Sequence, residues 1–168
     1  MSTQQQYVEM VVRSWLLGGV MAVIDVARQT VVTHSPEDSV VDAIESMRER
    51  DVSTVVVVDD GGAPLGLLTD RLVALQVGQG VELEDRSLAD VDLEDPDPVA
   101  ADSGIYDLLE HMAEETARRV PVVEDGELVG IISLSDVVVL LGMELQLVAN
   151  VIRTSSPAYE RSATAIYE

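Results

Sequence analysis

Residues Val120–Asp136 read VPVVEDGELVGIISLSD. Two short apolar runs flank an acidic turn that contains an Asp-Gly pair, a combination typical of a β-hairpin. The second run ends at Ser133, and Asp136 follows three residues later at the start of a long apolar stretch. Ser and Asp at this spacing form the pattern of a capping box. The stretch therefore predicts strand, turn, strand and helix in that order.

The same pattern occurs earlier in the chain. Residues Val55–Thr69 read VVVVDDGGAPLGLLT, and Val120–Ser133 align with them after one deletion in the turn. Upstream, Ser39–Arg50 and Ser103–Glu115 both place apolar residues at helical spacing, and the serine that opens each segment is a candidate N-cap. Each copy has about 60 residues and is too small to bury a stable core alone. We therefore expect two repeats that pack on one another.

Repeats with VVVVDDGGAPLGLLTDR in one copy and RRVPVVEDGELVGIISLSD in the other resemble a tandem pair of cystathionine-β-synthase (CBS) domains. The resemblance covers Val23 to Met143 and implies an α+β fold, in which two βαββα repeats pack through their sheets with pseudo-twofold symmetry. We expect repeat 1 at residues 23–80 and repeat 2, with a long C-terminal helix, at 81–152. An apolar segment is expected at 1–22 and a flexible tail at 153–168.

The resemblance also implies a ligand site in the cleft between the repeats. In the family, the Asp of a Ser/Thr-x-x-Asp step commonly accepts both ribose hydroxyls, since a carboxylate has two oxygens for two O–H donors. Ser133 and Asp136 supply this step in repeat 2. The hydroxyl and the free N–H groups of the following helix can meet a phosphate oxygen. The strand residues that line the base by resemblance are Arg119, Val120 and Pro121, with Pro98, Val99 and Ala100 facing them.

Repeat 1 departs from this pattern. The same count from Gly66 reaches Thr69–Leu72, TDRL, so the ribose carboxylate is missing. Asp70 does not replace it, because a residue two positions earlier on a helix points about 200° away at 100° per residue. We therefore expect a degenerate second site at Thr33, Thr69 and Asp70, and one site per chain that can hold a ribose.

Other interpretations of these residues stay open. Ser133 and Asp136 can form a capping box in a protein that binds nothing, and Pro121 and Val122 can be ordinary core strand residues.

Arg118 and Arg119 are candidate phosphate partners, because a guanidinium presents a fixed fork of donors. Alternatively, they pair with Glu114 and Glu115. Because few basic residues lie near the site, we rank AMP, ADP or an adenosyl compound such as S-adenosylmethionine before ATP.

The charge of the chain excludes some partners. It has 168 residues with 31 Asp and Glu against 10 basic residues, all of them Arg, and a formal charge of −21. Such a surface repels nucleic acid and anionic membranes. An acid excess without lysine also indicates adaptation to concentrated salt, where the Debye length falls to roughly 3 Å at about 1 M. An ordinary acidic surface is the alternative.

The sequence favours a regulatory rather than a catalytic protein. It has no Cys, no G-x-S-x-G, no P-loop and no H-E-x-x-H, and its two histidines, His34 in an entry loop and His111 on the exposed side of a helix, are not expected to act in catalysis. No metal site or covalent cofactor is expected. The apolar run Trp15–Ile24 is too short to span a membrane and lacks a basic flank, so we expect a cytoplasmic protein.

The segment Asp136–Ile152 is apolar on nearly every side, which predicts a helix buried by more than one neighbour. Pairs of CBS repeats often meet through such helices, so the resemblance implies a homodimer. We expect a module that binds an adenosyl ligand and acts in trans on an unknown effector protein. A ligand-free platform for dimerisation and assembly of another protein is the alternative, and the missing carboxylate in repeat 1 supports it.

Overall fold

The computed structural model describes residues 21–155, which divide into two compact units, one ending at Ser133 and one beginning at Leu134. The first unit contains six strands, four α-helices and one 3-10 turn within the described residues. Its elements are α1 (Val23–Val26), β1 (Thr33–His34), α2 (Val40–Arg50), β2 (Thr54–Val58), β3 (Pro64–Thr69), α3 (Asp70–Gly78), the 3-10 turn (Leu88–Asp90), β4 (Val99–Ala100), α4 (Ile105–Glu114), β5 (Arg119–Glu124) and β6 (Glu127–Ser133). The second unit contains α5 (Leu134–Ser155).

The strands form two sheets of three with the same order and register. β1-β2-β3 form the first sheet and β4-β5-β6 the second, and in each sheet a parallel pair is followed by an antiparallel hairpin. Thr54 lies opposite Thr69 in the first hairpin, and Arg119 lies opposite Ser133 in the second. A bulge interrupts both hairpins at equivalent positions. The predicted α+β fold of two related repeats is therefore confirmed.

The second hairpin turns at the Asp-Gly pair that the sequence singled out. Asp125 and Gly126 have φ angles of 51° and 88°, and two central residues with positive φ are what a type I′ turn requires. In the longer first turn, the Asp59 carboxylate accepts hydrogen bonds from the N–H groups of Gly61 and Ala63 at 2.8 and 2.9 Å. Local turn chemistry thus closes both hairpins.

Each sheet also receives an edge segment from the part of the chain that precedes the other repeat. Arg28, which precedes β1, pairs with Ile131 of β6 through N–O distances of 2.9 and 3.0 Å. Glu94, which precedes β4, pairs in the same way with Leu67 of β3, at 2.9 and 3.0 Å. The repeats are therefore interleaved along the chain, and neither sheet has a complete edge without the segment of the other.

Two glycines allow these edge segments to approach. A Cβ atom at Gly66 would lie 2.7 Å from the side chain of Leu93. A Cβ atom at Gly130 would lie 3.2 Å from Ala27 Cβ and 3.3 Å from the carbonyl oxygen of Arg28. The glycine that both repeats share in the second strand of the hairpin thus packs closely against the edge segment, more tightly at Gly66 than at Gly130.

The core of repeat 1 combines residues that precede α3 with residues that follow it. Val40, Ala43 and Met47, which follow the helical spacing noted in Ser39–Arg50, are buried in α2 together with residues of β2 and β3. Leu83 and Leu88, which follow α3, are part of the same cluster. Residues that were expected to open repeat 2 therefore complete the core of repeat 1.

The helix caps agree with the prediction in repeat 1 only. Ser39 caps α2, because its hydroxyl accepts the N–H of Val41 at 3.1 Å. In repeat 2 the N-cap is Gly104, without a side-chain cap, and the prediction of Ser103 is wrong. Ser103 is held one residue earlier by its backbone, whose carbonyl accepts the N–H of Val23 at 2.8 Å and whose N–H donates to Ala100 at 3.1 Å.

The second unit is a helix of 22 residues, α5, with few buried side chains. Only Val137 and Leu140 are buried among its described residues, and its burial by more than one neighbour stays a prediction. It extends to Ser155, three residues into the expected tail. By length and composition alone, α5 could cross a membrane. Most of the apolar segment expected at 1–22 and of the tail expected at 153–168 lies outside the described residues.

Candidate ligand site

The strand residues predicted for the site of repeat 2 lie together at one end of the second sheet. β4 and β5 begin at this end and β6 finishes there, because the first pair is parallel and the second antiparallel. Arg119 and Ser133 are direct partners across the hairpin. Val99 pairs with Val122, which places Pro98 beside the start of β5. The register of the sheet thus brings residues that are far apart in the sequence to the same end of the sheet.

The residues at this sheet end differ in what they can offer a ligand. Val120 and Val122 are fully buried, so the core interpretation holds for the side chain of Val122 and also applies to Val120. Pro121 is buried and has no backbone N–H, whereas Arg119 and Ser133 are partly exposed. The polar side chains available here are therefore a guanidinium and a hydroxyl. Pro98 and Ala100 are exposed and Val99 is buried.

Arg119 connects the two repeats. Its Nη2 donates to the hydroxyl of Ser53 at 2.8 Å, directly before β2 of repeat 1. The carbonyl of Ser53 accepts the N–H of Asp70, the first residue of α3, at 3.1 Å. Arg119 is therefore linked to the start of α3 in repeat 1 through a single residue, Ser53.

Arg118 does not make the ion pairs that were weighed for it. It is exposed, and in the described part of the chain it forms no ion pair with Glu114 or Glu115. Its guanidinium projects from a strand end that also carries Arg119. Two of the 10 arginines of a strongly acidic chain thus stand at this sheet end.

Asp136 lies in the first turn of α5, three residues after Ser133. Asp136 and Ser133 both have interaction partners in the protein, so neither side chain is free. The capping box at this helix start stays a prediction, as does contact of either residue with a ligand.

The residues of the expected degenerate site lie at the equivalent end of the first sheet. Thr33 opens β1 and is exposed, and Thr69 closes β3 and is only 2% exposed. The Thr69 hydroxyl accepts the N–H of Leu72 at 3.2 Å, which makes Thr69 the N-cap of α3 and places Leu72 at the third helical position. Asp70 is exposed, and its carboxylate accepts the N–H of Arg71 at 2.7 Å. The missing ribose carboxylate is therefore replaced by an apolar side chain.

Sequence reasoning missed Glu94 in this site. Its Oε1 accepts a hydrogen bond from the Thr69 hydroxyl at 2.9 Å, across 25 residues of sequence. Glu94 and Arg28 hold equivalent places on the two sheet edges, opposite Leu67 and Ile131. A comparison of VIDVAR (23–28) with LADVDLE (88–94), which need one insertion to align, could have shown this correspondence.

One buried hydroxyl has no partner among the described residues. Thr54 is 8% exposed, and its Oγ1 makes no hydrogen bond there. Thr54 occupies in repeat 1 the place that Arg119 occupies in repeat 2, since Thr54 lies opposite Thr69 and Arg119 lies opposite Ser133. A hydroxyl buried without a protein partner costs free energy, so Thr54 does not add a stabilising hydrogen bond at this sheet end.

The two histidines hold entry loops. His34 Nδ1 lies 2.9 Å from Asp38 Oδ2, and Nε2 lies 3.0 Å from the hydroxyl of Ser46. Hydrogen bonds from the Ser35 N–H and from His34 lower the pKa of the Asp38 carboxyl. His111 Nε2 donates to the carbonyl of Asp97 at 2.9 Å, and the side chain is only 23% exposed, so its predicted place on an exposed face is wrong.

Within residues 21–155, no group of three or more metal-ligating side chains is present.

A family model of the CBS domain matches residues 23–74 and 88–142. The chain therefore belongs to the CBS domain family and contains two such domains in tandem. The two matched ranges leave out residues 75–87. This segment includes the end of α3 and Leu83, one of the residues that complete the core of repeat 1.

Relatives with known sequences or structures agree with this assignment. An uncharacterized protein from Methanopyrus kandleri, MK0525, is 32% identical over 133 residues, which cover 78% of this chain and about two thirds (66%) of that protein. The crystal structure of a putative acetoin utilization protein, AcuB, from Vibrio cholerae has a TM-score of 0.67 and 25% identity, covering 78% of this chain and 97% of that one.

The CBS domain pair of protein MJ0100 was crystallised in complex with 5′-methylthioadenosine and S-adenosyl-L-methionine. It has a TM-score of 0.66 and 20% identity, covering 74% of this chain and 98% of that one. At this identity the likeness shows the fold.

Proposed function

We propose that this chain is a regulatory module that binds an adenosine-containing ligand in repeat 2 and acts in trans on a partner protein. The observation that carries the proposal is the pairing of Arg119 with Ser133 at one sheet end, with Asp136 three residues further along the chain. The adenosyl ligands of the MJ0100 pair, which has the same fold, support the ligand class.

Each residue of the site has a distinct role in this proposal. The carboxylate of Asp136 accepts the two ribose hydroxyls, because it has two oxygens in one plane. The hydroxyl of Ser133 and the N–H groups at the start of α5 donate to a phosphate oxygen or another electron-rich group. The backbone of Pro98–Ala100 and the strand Arg119–Pro121 face the base. No bond is made or broken, so the module is not an enzyme.

The guanidinium of Arg119 couples the site to repeat 1. A ligand that attracts Arg119 competes with its hydrogen bond to Ser53, which in turn holds the first residue of α3. A ligand shifts a conformational equilibrium only by its difference in affinity for the two states. Loss or retention of the Arg119–Ser53 bond supplies such a difference, and the exposed surfaces of the repeats transmit it to the partner.

Calorimetry with AMP, ADP, ATP and S-adenosylmethionine in molar salt tests the ligand class. We expect Asp136→Ala to weaken binding of the best ligand by more than tenfold, since the ribose loses both acceptors. Asp70→Ala is the matched control, because this exposed carboxylate starts the equivalent helix of repeat 1 and should leave the affinity unchanged. Equal affinities of the wild type and the Asp136→Ala variant would remove the site assignment.

A ligand-free assembly platform is the second candidate function. Leu72 stands at the position of the ribose carboxylate, and Glu94 takes the hydroxyl of Thr69, so one of the two sites is not maintained for a nucleotide. A thermal-shift panel of the four adenosine compounds distinguishes the candidates. The platform predicts no shift with any compound, whereas the regulatory module predicts a rise in Tm with at least one.

We propose further that the chain forms a homodimer through α5. The helix exposes large apolar side chains along its length, and burial of such a surface is favourable by about 25 cal/mol per Å². The exposed set is Leu134, Val138, Val139, Leu141, Leu145, Leu147, Val148, Val151 and Ile152. Sedimentation in molar KCl should give a dimer, and Leu145→Glu with Val148→Glu should give a monomer. A monomeric wild type would contradict the proposal.

The proposed location is the cytoplasm, without binding to membranes or nucleic acid. The charge of −21 supports this, because anionic surfaces repel the protein. The feature that argues against this location is α5, since its length and composition alone would suit a membrane span. Recovery of the full-length protein in the membrane fraction after cell lysis would contradict the proposal.

A further inference from the structure

The two sheet edges carry opposite charges at equivalent positions. Arg28 pairs with Ile131, two residues before Ser133 closes β6. Glu94 pairs with Leu67, two residues before Thr69 closes β3. Both edge side chains are exposed. The same backbone position, two residues from the end of the paired strand, is thus occupied by an arginine at one sheet edge and by a glutamate at the other.

In repeat 1 the carboxylate already satisfies the hydroxyl. The Thr69 Oγ1 donates its proton to Glu94 at 2.9 Å and accepts the N–H of Leu72 at 3.2 Å. A phosphate oxygen at this helix start would have to displace Glu94 and lie beside its negative charge. Glu94 therefore acts as a built-in anion at the place where a ligand phosphate would bind.

In repeat 2 the equivalent residue has the charge that a phosphate needs. Arg28 occupies the same backbone position relative to the strand end that carries Ser133 and Arg119, since it pairs with Ile131 of β6. Guanidinium groups form charge-assisted, often bidentate hydrogen bonds with phosphate. Arg28 is therefore placed to add affinity for a phosphate-bearing ligand without contacting its ribose.

We propose that the edge residue sets the ligand class of each repeat. Arg28 makes the site of repeat 2 select phosphate-bearing adenosine compounds, and Glu94 excludes them from repeat 1. This inference rests on the proposed function, because it assumes that repeat 2 binds adenosine compounds. It adds the ligand class, the stoichiometry of one phosphate-bearing ligand per chain and two residues that determine specificity.

Calorimetry with AMP and adenosine, which differ only in the phosphate, tests the inference. The wild type should bind one AMP per chain, and more tightly than adenosine. Arg28→Gln should reduce that preference by about 10- to 100-fold, the range for loss of a hydrogen bond to a charged group. The AMP-to-adenosine ratio is the readout, since Arg28 also has an interaction within the protein and a general loss of structure would weaken both ligands equally.

Glu94 is tested in the opposite direction. Glu94→Arg should add a second, weaker AMP per chain, whereas the matched Glu94→Gln, which removes the charge and keeps an acceptor for Thr69, should not. Two equivalent AMP sites in the wild type, an unchanged ratio in Arg28→Gln or identical behaviour of the two Glu94 variants would overturn the inference. Equal wild-type affinities for AMP and adenosine would overturn it and leave the proposed function standing, whereas no binding of any adenosine compound would overturn both.

Discussion

Gly66→Ala tests the interleaving of the repeats most directly. The new Cβ would lie 2.7 Å from both Cβ and Cδ1 of Leu93, well inside ordinary van der Waals contact. Gly66 is not among the residues with positive φ, so the effect comes from the contact and not from backbone strain. Overpacking of this kind costs about 1–3 kcal/mol, which corresponds to about 2–12 °C in Tm for a chain of this length.

Thermal unfolding of four variants in one buffer measures the effect. Leu93→Ala should lower Tm by itself, because Leu93 packs against the core of repeat 1. In Gly66→Ala/Leu93→Ala the two costs should not add, with a coupling of about 0.5–3 kcal/mol, since the second change removes the atoms that clash. Gly142→Ala is the control for the added methyl group, because nothing lies within 4 Å of its Cβ position and alanine in the helix should raise Tm rather than lower it. A Gly66→Ala variant that melts with the wild type, or strict additivity, would refute the proposed packing of the edge segment.

Three further predictions concern coupling, pH and salt. Arg119→Met should keep the fold and weaken the coupling, seen as a loss of the ligand-induced change in protease sensitivity around the start of α3; an unchanged pattern would contradict the link through Ser53. The pKa of Asp38 is lowered mainly by the N–H of Ser35, so its contribution to stability is present above the usual carboxyl pKa and is lost as pH falls through the lowered value. Asp38→Asn should therefore lose less stability than the wild type between neutral and strongly acidic pH, as followed by circular dichroism, and parallel curves would contradict this. Because the charge is −21, Tm should rise from dilute buffer to molar KCl, and no rise would exclude the halophilic interpretation.

The duplicated strand-turn-strand pattern was sufficient to predict the fold. Alternation of four-residue apolar runs with Asp-Gly or Gly-Gly turns is a local signal, and both hairpins form where it occurs. The ends of the helices were predicted less well. Ser103 has the chemistry of an N-cap, but the sheet bridge between Ala22 and Gly104 moves the helix start by one residue. A long-range backbone pair decided this detail, and no local pattern contains it.

The candidate site shows the same division. Ser133, Asp136 and Arg119 are recognisable as candidates from one stretch of sequence. Arg119 directly precedes the first apolar run of the hairpin, Ser133 ends the second run, and Asp136 follows three residues later. Arg28 and Glu94 were missed, since each lies far along the chain from the strand with which it pairs, and only an alignment of VIDVAR with LADVDLE indicates that the two positions correspond. Ion pairs of Arg118 with Glu114 and Glu115 were the alternative to a phosphate contact, and within residues 21–155 Arg118 is exposed without them.

The sequence by itself determined the class of fold, the number of repeats and the loss of the ribose carboxylate at Leu72, because these depend on residue type and short-range spacing. Tertiary structure decided which segment completes each sheet, why Gly66 and Gly130 lie close against the edge segments, and which charged residue pairs with each strand edge. The physical reason is that an edge segment pairs through its backbone, which every residue has. Residue type therefore says little about which strand the segment pairs with, and only the folded sheet shows it.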